Sequence, residues 1–174
     1  MELKKASEQI NVFPIVRNAA LHFLDTGKLP VKNWPLPKLQ LEKQEKYSNS
    51  FPVLPTLIEI AIHEQRYDDT LNLYEKMMTK NSYYIYHLRE VTEKLADAIA
   101  GTYPDKSVQI WRKKVENNIN LVNKKGYQQA SPYLRKIRDT LKKHNRESEW
   151  KEYQQDLKKL NAKRPRCLEI LNSL

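Results

Sequence analysis

Apolar residues recur at three- and four-residue intervals along most of the chain, and nowhere does a strict apolar–polar alternation mark a half-buried strand. Near the start, Asn11 is placed to cap a helix carrying Phe13, Val16, Ala20, Leu21 and Leu24 on one face. Pro14 then falls in the first turn, where its missing N–H is tolerated, and Gly27 follows as a stop. Residues 28–50 change character. Leu29-Pro30, Trp34-Pro35-Leu36-Pro37 and the polar run Glu42-Lys43-Gln44-Glu45-Lys46 sustain no apolar period, and read as an extended linker anchored on the chain's own helices by Trp34, Leu36 and Leu39.

From Phe51 the pattern becomes regular. Leu54, Leu57, Ile58, Ala61 and Ile62 predict a short amphipathic helix, and after Gln65-Arg66 a second presents Thr70, Leu71, Tyr74, Met77 and Met78. A third runs from about Tyr83 to Ala100 through Ile85, Leu88, Val91, Leu95 and Ile99, closed by Gly101. Pro104 opens a fourth bearing Val108, Trp111, Val115, Ile119 and Val122, with Gly126 at its end. Ala130, Tyr133, Leu134, Ile137 and Leu141 define a fifth. It starts either at Pro132, capped by Ser131, or at Tyr127 with a kink at the proline. Trp150, Tyr153, Leu157 and Leu160 mark a sixth, and Pro165 opens a short last helix with Leu168, Ile170 and Leu171.

Helices joined by two to five residues lie antiparallel, and a series of such hairpins stacks because no single pair buries its apolar face alone. Three segments resemble one another, opening at Tyr67, Tyr103 and Tyr127. Each places a small residue (Thr70, Ser107, Ala130) four positions before a bulky one (Tyr74, Trp111, Leu134). The first two lie 36 or 37 residues apart and the third 23 or 24 further on, whereas a tetratricopeptide period is about 34. The predicted fold is all-α: antiparallel helix-hairpin repeats stacked as a short tetratricopeptide-like solenoid of about seven helices. Residues 1–27 form an N-terminal helix, 28–50 a linker packed on the surface, and 51–174 the helical-repeat domain.

Composition narrows the chemistry. Three glycines in 174 residues leave little for phosphate-cradling loops or dinucleotide fingerprints, and each sits just past a predicted helix, as a C-cap would. A chain this long buries roughly 70% of the surface it exposes when unfolded. No stretch approaches the roughly 18 apolar residues of a membrane span, and the N-terminus lacks the apolar core of a signal peptide. A cytoplasmic protein with no membrane partner is expected. Cys167 stands alone, which excludes an internal disulfide and a multi-cysteine zinc site, and reads as a packed small residue of the last helix.

The net charge of +10 is unevenly placed. Residues 1–103 carry 13 basic and 13 acidic side chains, whereas residues 104–174 carry 18 and 8. Such asymmetry points to a polyanion, though a solvated helical surface carries similar charge for solubility alone. Arg135, Arg138 and Lys142 follow helical spacing beside the apolar stripe of the fifth helix, with Lys143 next to them and Lys113 and Lys114 on the preceding helix. These six are the candidate polyanion-binding residues, and Lys136, Lys124 and Lys125 extend the same charge. Tyr83, Tyr84 and Tyr86 cannot all face one stripe, and are candidate partner-binding aromatics.

The run Phe51-Pro52, the stretch from Leu57 to Lys76, Tyr103-Pro104-Asp105-Lys106-Ser107-Val108-Gln109-Ile110-Trp111, the segment from Tyr127 to Arg138 and Glu149-Trp150-Lys151-Glu152-Tyr153 resemble the C-terminal helical region of bacterial SWIM zinc-finger family proteins. The likeness covers nearly the whole chain, including the Trp-Pro-Leu-Pro linker. The family's finger is a Cys-x-Cys followed by a Cys-x-His, and nothing here matches it: Cys167 is alone and His22, His63, His87 and His144 lie far apart. The resemblance implies an accessory module lacking the finger, and no finger-borne binding residue carries over.

Asp68-Asp69 suits the positive end of a helix better than a catalytic pair, and His63 lies on a polar face. No nucleophile, base or metal-ligand spacing emerges. The expectation is therefore a non-enzymatic protein-interaction scaffold needing no cofactor or metal, with a protein partner. The alternative is a basic helical module assisting DNA or RNA binding through residues 104–174.

Overall fold

The computed structural model describes residues 2–28, 51–79 and 85–174, with side chains for 14–28, 51–79 and 89–174. Among the described residues every regular element is an α-helix: α1 (Glu2–Thr26), α2 (Leu54–His63), α3 (Tyr67–Thr79), α4 (Ile85–Ile99), α5 (Pro104–Ile119), α6 (Lys124–Lys143), α7 (Glu147–Leu160) and α8 (Pro165–Asn172). The fold is all-α, and the eight helices comprise the seven read after residue 51 and the N-terminal one. Residues 29–50 of the expected linker, with Trp34, Leu36 and Leu39, lie outside the described residues. The chain divides into two compact units, residues 1–91 and 92–174, so the division falls inside α4.

In the first unit, α1 begins well before Asn11. The upstream run of Glu, Lys, Ala and Gln favours helix, so Asn11 is interior and Pro14 lies inside the helix, not in its first turn. Val53 N–H donates to the Leu24 carbonyl (2.8 Å), and Phe23 meets Phe51 edge-on at 5.3 Å. Ala19, one turn before Phe23, is therefore the buried residue and Ala20 faces solvent. Gly27 adopts φ +73°, and a Cβ there would run into the Phe51 ring. The core of this unit gathers Leu54 and Ile58 of α2, Met77 of α3 and Val91, with Ile62, Leu73 and Tyr74 against them.

The α2–α3 reversal is a Schellman turn. Gln65, at φ +56°, donates from its N–H to the Ile62 carbonyl, and Arg66 N–H reaches back to Ala61. Arg66 then pairs with Glu64 (2.7 Å) and with Asp69 one turn into α3. Glu64 also receives both Nε and Nη2 of Arg17, tying α1 to this turn.

In the second unit, α6 is central and packs against α5, α7 and α8. Its inward stripe is Tyr127, Ala130, Tyr133, Leu134, Ile137 and Leu141, and fully burying Leu134, Ile137 and Leu141 contributes about 1.5–3 kcal/mol each. Val108, Trp111, Val115 and Ile119 of α5, Trp150 and Leu157 of α7, and Cys167 and Leu171 of α8 complete this core. The small–large spacing of α5 has a clear use. Ser107 is fully buried and its Oγ donates to the Ala96 carbonyl (2.8 Å), bringing α4 and α5 together beside Trp111.

The start of α6 differs from both readings of the sequence. Asn123 caps the helix by accepting from Gly126 N–H (2.8 Å), so the first residue is Lys124 and Pro132 lies in the interior. Gly126 is consequently not the stop of α5. It sits in the first turn of α6, where a Cβ would collide with the Asn118 carbonyl oxygen and lie 3.1 Å from Leu121 Cβ. Val122 is not on the α5 stripe either; it forms the reversal at φ +50° and is exposed. The α6–α7 reversal repeats the Schellman form of α2–α3. Asn145 N–H donates to Lys142, Arg146 N–H to Leu141, and the Arg146 guanidinium pairs with Glu149 one turn on. Leu160, the last residue of α7, is 80% exposed, so the apolar period of this helix runs on to an end that the core does not cover.

Gly126→Ala is expected to lower the unfolding free energy by about 1–3 kcal/mol, since backbone must move to admit the methyl. Gly101→Ala, where a Cβ meets nothing, should be neutral or gain up to about 1 kcal/mol; urea denaturation of both variants checks the pair. The hydrogen bonds from Arg17, and next from Arg66, hold the Glu64 carboxyl down at about 2, against roughly 4.3 in an unfolded chain. Its contribution is complete above about pH 5 and is lost as pH falls towards 2. A melting-temperature series in pH should show Glu64→Gln with a shallower acid limb than the parent chain.

Candidate functional site

Where the α4–α5 turn meets the C-terminal half of α6, the second unit holds a groove of about 310 Å³. Ala100, Gly101 and Trp111 supply its apolar part; Asp97, Lys136, Asp139, Thr140 and Lys143 supply its polar part. Trp111 is only 2% exposed, and its indole Nε1 is buried with no hydrogen-bond partner among the described residues. Lys136 Nζ bonds both oxygens of Asp97 (2.7 and 2.8 Å) and lies 5.9 Å from the Trp111 ring and 5.8 Å from that of Tyr133. The Tyr133 hydroxyl in turn donates to Glu93 (3.2 Å). Lys136, grouped with the polyanion residues by sequence, is thus compensated and fixed in place.

Lys143 behaves differently. It is exposed at the C-terminal end of α6 and has no acidic partner among the described residues, while Asp139, one turn earlier on the same helix, accepts from Arg138 Nε (2.8 Å). The groove can therefore receive a compact apolar group against Trp111 and a carboxylate against Lys143.

The other expected contacts separate. Arg135 and Lys142 are exposed on the outward strip of α6, and Lys113 on that of α5; none has an acidic partner among the described residues. Lys114 is half-buried. Arg138, expected on the same face as Arg135, donates through Nη1 to the Leu174 carbonyl (2.8 Å) and holds the residues after α8 against α6. Tyr83 and Tyr84 lie outside the described residues; Tyr86 belongs to α4, but its side chain lies outside them.

A second polar network joins α5 to α7. Arg112 and Arg146 both bond Glu149 (2.9 and 2.6 Å), and Arg146 also pairs with Asp105 (2.6 Å). The Arg112 guanidinium covers the Tyr153 ring at 4.5 Å. Burial pushes the Tyr153 phenol above its usual range; the Arg112 charge opposes that shift and Glu116 adds to it. Cys167 is buried in α8 as expected of a packed thiol, and burial raises its pKa, with Arg164 pulling the other way. Among the described residues no three His, Cys, Asp or Glu side chains converge as metal ligands, and no helix is long and apolar enough to cross a membrane.

Sequence reasoning identified Trp111 as a gap-filler beside Ser107 but not as part of a groove. The usable signal was Gly101, six residues before Ser107, which leaves the α4–α5 turn without a side chain at the groove. Comparison with protein-family models, with curated proteins and with solved structures finds no match for the chain.

Removing the Arg138 guanidinium is expected to cost about 1 kcal/mol through its bond to Leu174, whereas Lys142→Ala should stay within about 0.5 kcal/mol. Denaturation midpoints of the two variants distinguish the internal cation from the surface one.

Proposed function

We propose that this chain is a non-catalytic, tetratricopeptide-like helical scaffold that mediates protein–protein interaction, with the groove beside Trp111 as its contact point. The observation that carries this reading is the groove itself: an apolar recess between the α4–α5 turn, Trp111 and α6, with the unpaired Lys143 beside an internally paired rim. Such a recess suits an anchoring side chain of a partner, with its acidic neighbour on the lysine. The resemblance to the helical region of SWIM zinc-finger proteins supports a role as an accessory module beside such a finger.

A second reading, assistance in DNA or RNA binding, rests on Lys113, Arg135 and Lys142 being exposed without acidic partners among the described residues. A salt titration with a random duplex decides it: a steep loss of binding with added salt supports that reading, and no binding at low salt eliminates it.

For the scaffold reading, Gly101→Trp fills the groove from a position where an added side chain meets nothing. With a photo-crosslinker in place of Asp139 on the groove rim and Lys143 kept, the parent chain should give a discrete protein adduct in cells. The Gly101→Trp chain should lose most of it, about tenfold or more, at an unchanged melting temperature. An adduct of equal yield in both chains removes the groove as the contact.

A further inference from the structure

The helix hairpins sort the charge of the second unit towards its two ends. α5 and α7 run the same way, because Arg146 at the start of α7 pairs with Asp105 at the start of α5. The α5–α6 reversal and the α7–α8 connection therefore lie towards the opposite end from the groove. Lys124 and Lys125 open α6 there, Lys158 and Lys159 close α7, and Lys163, Arg164 and Arg166 surround the start of α8. Seven cations thus collect where the only close acidic pairing among the described residues is Lys159 with Asp156 (3.4 Å), both well exposed. Arg164 bonds Asn161, a neutral group, and Glu116 lies one turn back on α5. At the groove end Lys136, Arg112 and Arg146 are consumed by carboxylates, and Lys142 and Lys143 stay exposed beside them.

The same end carries the large apolar side chains most exposed to water in this unit. Leu121 and Val122 stand 56% and 55% exposed on the α5–α6 reversal, and Leu160 is 80% exposed at the end of α7. They project from turns and helix ends, so they form convex tips inside a collar of lysine and arginine. We infer that this end docks on an anionic lipid bilayer surface, with Leu121, Val122 and Leu160 entering the headgroup–acyl boundary and the surrounding cations binding the lipid phosphates and carboxylates. A nucleic acid fits less well: its phosphates would take the cations but leave three aliphatic tips in water, and no exposed aromatic stands among them to stack a base. This is surface contact, distinct from the span that the sequence excludes, and it does not depend on the groove.

The test is co-sedimentation of the full chain with phosphatidylcholine vesicles, alone and containing phosphatidylserine, with random duplex DNA as a separate ligand. Binding is expected only to the phosphatidylserine vesicles, falling as salt rises. The double variant L121S/L160S should lose roughly tenfold or more in partitioning. K124E/K125E, and independently K163E/R166E, should lose roughly fivefold or more per position, while K106E, exposed in the first turn of α5 at the opposite end, leaves binding unchanged. All these positions are solvent-facing, and thermal melts confirm the folded state; two separate charge-reversal pairs guard against one failing to fold. Equal partitioning onto neutral vesicles, no partitioning onto anionic ones, or indifference to L121S/L160S would overturn the inference. So would duplex binding that K124E/K125E abolishes and L121S/L160S leaves intact, in which case the collar is a nucleic-acid surface.

Discussion

One apolar stripe organises the second unit. Tyr127, Ala130, Tyr133, Leu134, Ile137 and Leu141 lie along α6, and three other helices pack on that helix. Because the interior is close-packed, the stripe fixes which faces of α5, α7 and α8 turn inward and which residues are left outside. The groove beside Trp111, the Arg112–Glu149–Arg146 network and the cationic end are all consequences of what three helices leave uncovered around a fourth.

Periodicity made most of this legible. The stripes of α5 and α6 were readable residue by residue, because a helix that buries one face must repeat apolar residues every three or four positions. The failures share a cause. Val122 continues the period of α5 past the point where the chain turns, and Leu160 continues that of α7 to its last, uncovered residue; apolar spacing carries no mark of a helix end. Gly126 was misread because a glycine closing one helix and a glycine admitting a close backbone contact look alike locally. Asn123, whose side chain caps α6, was the signal that separates the two. The Pro132 ambiguity resolved towards the longer helix for the same reason, since the cap lies upstream of both starts considered.

The candidate site was legible only in part. Helical spacing put Arg135, Arg138 and Lys142 on one face, but spacing says nothing about the neighbour that covers an edge of it. The C-terminal residues engage Arg138, and α4 supplies the carboxylates that compensate Lys136. Charge counted by segment therefore overstated the free positive surface near the groove and missed the end where it is least compensated. Two reversals, α2–α3 and α6–α7, use the same Schellman turn with an arginine pairing one turn onward. That likeness is invisible in residue identity, because glutamine and asparagine stand where glycine is usual.

Pro132 has an effect on α6 beyond the question of where the helix begins. With no N–H, it leaves the Gln128 carbonyl without its rung in the backbone ladder, and both residues are exposed, on the face of α6 turned away from the core. The missing rung falls between the turn bearing Gly126 and the half carrying Lys136, Thr140 and Lys143. The helix nevertheless runs unbroken from Lys124 to Lys143, so the continuous stripe of α6 is kept while its outer, solvent-facing ladder carries one gap.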